Sequence, residues 1–85
     1  MPYTVQIKAS ALKALARLPR TDRLRIKARI ESLAAEPRPQ GAVKLAGHEG
    51  LYRIRVGNYR VVYALSDAAL VVLVVRIGHR RAVYR

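Results

Sequence analysis

The chain has no cysteine, which removes disulfides and thiolate metal sites together and leaves packing alone to hold the fold. It is also poor in acids: five Asp and Glu stand against seventeen Lys and Arg, a formal net charge of +12. That excess repels itself in a compact chain and implies an anionic partner. Long apolar runs are missing too, and the longest, Ala68 to Val75, is far too short to cross a bilayer. The Met-Pro-Tyr-Thr start carries neither the basic region nor the apolar stretch of a secretory signal, so the expectation is a soluble cytoplasmic protein without membrane contact. There is no Gly-rich phosphate loop and no internal repeat, and the two histidines, His48 and His79, are distant in the chain and lack the carboxylates that a metal site would need. Neither a metal nor a cofactor is expected on that basis.

With 85 residues, 52% of them hydrophobic, the chain is sized for a single domain over 1–85 with one modest core, and it is too apolar for a disordered tail. Tyr3 to Ile7 alternates as a short strand does. Ser10 offers a helix N-cap, and Leu12, Leu15, Ala16 and Leu18 fall on one helical face before Pro19 interrupts. Pro19 or Thr21 opens a second helix in which Ile26, Ile30, Leu33 and Ala34 recur at helical spacing. Pro37, Pro39 and Gly41 make a loop, and Val43 to Leu45 lead on to the glycines at 47 and 50.

The second half reads as sheet. Leu51 to Val56 alternates, Gly57-Asn58 is a two-residue turn signal with glycine first as a type II′ turn prefers, and Tyr59 to Leu65 is rich in valine and tyrosine. After a turn over Ser66 to Ala69, the apolar run Leu70 to Val75 suits a buried central strand. The fold class is therefore α+β in the order β-α-α-β-β-β, a mainly antiparallel sheet with a two-helix hairpin packed on one face.

The basic residues change character along the chain. From Gly50 onward they are Arg53, Arg55, Arg60, Arg76, Arg80, Arg81 and Arg85, with no lysine and Asp67 as the one acid. A planar guanidinium fork suits bidentate phosphate contacts and stacking on bases. A two-residue turn at Gly57-Asn58 sets Arg55 opposite Arg60 and Arg53 opposite Val62, so three arginines share one face, while Tyr52, Ile54, Val56, Val61 and Tyr63 face the helices. Like charges directly opposite on a sheet are unfavourable, which points to an anion between them.

The segment from Gly78 to Arg85 adds an imidazole, a phenol and three guanidinium groups. RNA cleavage by the neighbouring 2′-hydroxyl needs a group to take its proton, cations to stabilise the charge on phosphorus, and protonation of the leaving 5′-oxygen. Arg60 and Arg80 suit the second task. Tyr84 or His79 suits the first, and His79 or a water the third.

At these residues the chain resembles the RelE/ParE toxin superfamily, specifically its RelE branch. The resemblance rests on Lys44-Leu45-Ala46-Gly47, on the string from Leu51 through Tyr63, and on Arg76 through Tyr84, with Leu18-Pro19 and Pro37-Arg38-Pro39 in keeping. It implies the toxin of a type II toxin–antitoxin system, a ribonuclease that enters the ribosomal A site and cuts messenger RNA by 2′-hydroxyl attack without a cofactor. The implied partners are ribosomal RNA of the small subunit, the message, and a cognate antitoxin in a hetero-oligomer that blocks the basic surface. By the same resemblance Arg60, Arg80 and Tyr84 are catalytic and Arg53 and Arg55 hold RNA; the residues themselves add His79 to the catalytic candidates and Arg81, Lys44 and Arg85 to the RNA-binding ones. The best-known cleaving members carry lysines where Arg53 and Arg55 stand, and arginine does not readily give up a proton, so these two act through charge and position. The alternatives are the ParE branch, which has the same fold and acts on DNA gyrase, and a ribosome-binding module without catalysis.

Overall fold

The computed structural model describes residues 2–47 and 49–79. Along the chain run β1 (Thr4–Ile7), α1 (Ala9–Ala16), α2 (Arg20–Ser32), β2 (Val43–Lys44), β3 (Leu51–Val56), β4 (Tyr59–Ser66) and β5 (Val71–His79). The strands form one sheet in the order β1-β5-β4-β3-β2. The α+β class and the helix pair agree with the expectation, and the pairing adds two features. β1 lies parallel to β5, with Thr4 opposite Val71 and Ile7 opposite Val74, so the sheet is mixed. Val43 and Lys44, expected as a loop lead-in, pair with Arg53 and Tyr52 as a short edge strand.

The helices bury one face of this sheet. Ile26 and Ile30 on α2 and Leu33 at its C-cap, all at helical spacing, are essentially inaccessible, and they meet Ile54, Val61, Tyr63, Val72, Val74 and Ile77 from the strands. Burial of each such side chain is worth about 1.5–3 kcal/mol. In α1 the stripe is rotated from the expected one. Ala11 and Leu15 are buried while Leu12 is 52% exposed, because the small Ala11 side chain is the one turned toward the sheet. Ser10 does not cap: α1 starts at Ala9 with Lys8 in the cap position and no side-chain capping bond. Among the described residues no helix is long and apolar enough to cross a membrane.

Two details of the strands set the functional face. Gly57 has φ 60 and Asn58 lies outside the positive region, the pattern of a type II′ turn, whose twist matches that of the flanking strands. The second is a bulge in β5, where Val62 faces Arg76 but Tyr63 faces Val74, leaving Val75 as the extra residue. Leu70, expected as the first residue of that strand, instead closes the preceding turn in the left-handed region at φ 55.

Tyr63 is fully buried, its ring stacked on Tyr52 at 5.9 Å, and its hydroxyl donates to the Pro37 carbonyl at 2.6 Å. Burial pushes the phenol up to about 12, so it stays a neutral donor. Tyr63→Phe removes that bond and is expected to cost about 1 kcal/mol, read as a lower urea midpoint at unchanged slope.

Candidate nucleic-acid interface

The face of the sheet away from the helices carries the arginines, and the register explains why. In an antiparallel pair, directly opposed residues share a face. Arg55 opposes Arg60, and Arg60 opposes Gly78, so one row across β3, β4 and β5 reads Arg, Arg, Gly. The next row reads Val43, Arg53, Val62, Arg76 across β2 to β5. Gly78 brings no side chain to its row. Val62 is only 7% exposed although it lies outside the cluster formed with the helices. Its neighbours in the row are Arg53 and Arg76, whose aliphatic stems suit an apolar floor.

The electrostatics of this face are one-sided. None of the five acids in the sequence lies in β3, β4 or β5. Arg60 is half-buried, with its Nε sealed from solvent, and Arg53 is also half-buried. Arg55 is exposed, and its Nε donates to the Gly57 carbonyl at 3.0 Å, which draws the guanidinium toward the hairpin turn. Arg55 and Arg60 set two like charges directly opposite each other, an arrangement that a phosphate group between them would relieve.

The structure thus brings together Arg53, Arg55 and Arg60 as the sequence pattern predicts. It does not bring Lys44 or His79 to them. Lys44 opposes Tyr52 and therefore stands on the helix side of the edge. His79 opposes Tyr59, with the two rings edge-on at 5.9 Å, and Tyr59 belongs to the row of Val56 that faces the helices. Strand alternation after the bulge decides this: Gly78 takes the arginine face and the next residue, His79, must take the other. Burial raises the Tyr59 phenol, and Asp22 of α2 adds to the shift. Arg80, Arg81, Tyr84 and Arg85 lie outside the described residues, as does His48.

A second polar cluster was not legible in the sequence. Arg38 Nη2 meets Asp67 Oδ2 at 2.6 Å, and the Tyr3 hydroxyl donates to Asp67 Oδ1 at 2.6 Å. Arg38 Nε also donates to the Tyr52 hydroxyl at 3.1 Å, with the guanidinium 5.5 Å from the ring centroid. The one acid from Gly50 onward is therefore spent tying the loop after α2 to the β4–β5 turn, away from the arginine face. Arg38, then Tyr3, hold the Asp67 carboxyl below the usual carboxylate range. A depressed carboxyl stabilises the fold above its unfolded value near ~3.9, and the contribution is lost as pH falls through the lower folded value. Both partners are largely exposed, so the contribution is small. Titration of the Asp67 carboxyl by NMR is expected to show a midpoint below that of a free peptide, restored upward by Arg38→Gln.

The family described as ParE toxin of type II toxin–antitoxin system, parDE, matches residues 5–84. The chain is 31% identical to toxin RelG of Mycobacterium tuberculosis, over 100% of this chain and 99% of that protein. It is 33% identical to the mRNA interferase toxin RelE of Escherichia coli, over 94% of this chain and 85% of that one. Among solved structures, the archaeal RelE–RelB complex from Pyrococcus horikoshii superimposes with a TM-score of 0.84 at 33% identity, covering 94% of this chain and 97% of its counterpart.

Proposed function

Because this chain belongs to the RelE branch of the RelE/ParE toxins of type II toxin–antitoxin systems, we propose that it is an mRNA interferase that cuts messages held in the ribosomal A site. The observation that carries the reading is the acid-free face on which Arg53, Arg55 and Arg60 stand together. In the proposed reaction the 2′-hydroxyl of one nucleotide attacks the adjacent phosphorus. Its proton passes to a base, the bond to the 5′-oxygen breaks, and that oxygen takes up a proton, leaving a 2′,3′-cyclic phosphate and a 5′-hydroxyl. Arg60, with Arg80, holds the negative charge that grows on the phosphoryl oxygens, and Tyr84 takes the first proton. Arg53 and Arg55 hold the message, joined by Arg81 and Arg85. The guanidinium groups supply the cationic charge that a metal would otherwise bring, so the reaction is metal-independent.

The ribosome supplies the orientation that a small basic surface lacks. Its substrate places the protein in the cytoplasm. The partner is an antitoxin of acidic character, as the RelB of the archaeal complex is partner to its RelE. The helix layer offers such a segment an apolar cleft bordered by Leu12 and Leu24, each 52% exposed, with Arg23 and Lys27 at its rim.

The deciding experiment compares purified protein on programmed ribosomes, on naked RNA, and in gyrase supercoiling. Cleavage confined to ribosome-bound message, and abolished by added antitoxin, is the expected result. Inhibited supercoiling without cleavage would assign the chain the gyrase-directed activity of the ParE branch, and equal cleavage of free and bound RNA would refute dependence on the ribosome.

A further inference from the structure

We propose that Arg76 is a phosphate-binding residue of the RNA face, set there by the β5 bulge; this rests on the ribonuclease reading above. Val72 and Val74 are both fully buried against the helices, and residue 76 would continue that phase in a regular strand. A buried guanidinium in that core would carry a large desolvation penalty. The extra residue Val75 shifts the phase by one, so Ile77, 6% exposed, enters the core and Arg76 emerges opposite Val62.

The result is a row in which Arg53 and Arg76 stand on either side of the apolar Val62. They are two strand spacings apart, roughly 10 Å. Arg60 occupies the neighbouring row, two positions from Val62 along β4. β1 ends opposite Val74, so from Val75 onward β5 is the margin of the sheet and Arg76 is exposed along it. Arg53 and Arg76 thus bracket the floor from both sides, and one RNA strand crossing the sheet beside Arg60 meets both. The chemistry recognised is the RNA phosphate, from either the message or the ribosomal RNA around it. Arg76 binds and positions; it takes no part in proton transfer.

The test is binding of the intact protein to ribosomes programmed with a message that is 2′-deoxy throughout the A-site codon, which cannot react by 2′-attack. Arg76→Gln is expected to raise Kd several-fold at low salt and to lower the slope of log Kd against log salt by about 0.7 to 1. Arg76→Lys should restore most of the slope, since a phosphate contact needs the charge. On cleavable message, KM rises and kcat holds. A parallel titration of a free single-stranded oligonucleotide assigns the source: loss of slope there places the contact on the message, and loss confined to ribosomes places it on ribosomal RNA. Arg20→Gln, which removes one charge from the helix layer, should leave the slope unchanged. If Arg76→Gln keeps the wild-type slope, or if Arg20→Gln lowers it equally, Arg76 is only a guard on an open sheet edge and the proposal fails. Failure of the ribonuclease reading shows separately, as wild-type protein that binds and does not cut.

Discussion

Arg60→Ala is expected to lower the rate of message cleavage on programmed ribosomes by about 100- to 1000-fold, the usual cost of one preorganised donor to a developing oxyanion. The half-buried Arg60 lies in the middle strand of β3, β4 and β5, between Arg55 and the side-chain-free Gly78. In the proposed reaction its charge matters most when negative charge grows on the phosphoryl oxygens, so the loss should fall on kcat more than on KM. Ribosome affinity should fall by no more than the several-fold loss expected of a single phosphate contact, far less than the loss of rate. Arg60→Lys keeps the charge and loses the planar fork, and an intermediate rate is expected. Circular dichroism checks that the variants fold. A wild-type rate for Arg60→Ala in folded protein would remove Arg60 from the reaction.

A loss of about 100-fold or more is expected for Tyr84→Phe, against little change for His79→Gln. An unperturbed phenol titrates near ~10 and is a poor base at neutral pH, whereas a guanidinium group beside a phenol favours the phenolate. In wild-type protein the rate should therefore rise with pH until the phenol has ionised, and Tyr84→Phe should flatten that limb. The assignment of Tyr84 rests on the family pattern. The geometry speaks on the histidine: His79 is paired with Tyr59 on the helix side of the sheet, across from Arg60. A flattened profile in His79→Gln with Tyr84→Phe unaffected would transfer the proton to the histidine and require the end of β5 to rearrange on the ribosome.

The sequence by itself determined the β3–β4 hairpin and its arginine face. A two-residue turn fixes register, register fixes the side of every residue by alternation, and Gly57 leaves little choice of turn. It also determined the α+β class and the core positions of α2 and its C-cap, where Ile26, Ile30 and Leu33 repeat at helical spacing. The buried stripe of α1 was only partly legible, since Leu12 and Ala11 are neighbours on the helix and docking against β5 chose the smaller.

Tertiary structure decided what local periodicity does not encode. The run from Val71 to Val75 is apolar throughout, so no alternation marks where its phase changes, and only pairing with β4 reveals the bulge that turns Arg76 out and His79 away. The parallel partnership of β1 with β5 joins residues far apart in the chain, and so does the clamp of Arg38 on Asp67. Charge could be counted from the sequence, but whether a given charge faced the arginines or the helices depended on long-range pairing. That pairing gathered Arg53, Arg55, Arg60 and Arg76 on one side of the sheet and left Lys44 and His79 on the other, because a shift of one residue in a strand exchanges its two faces.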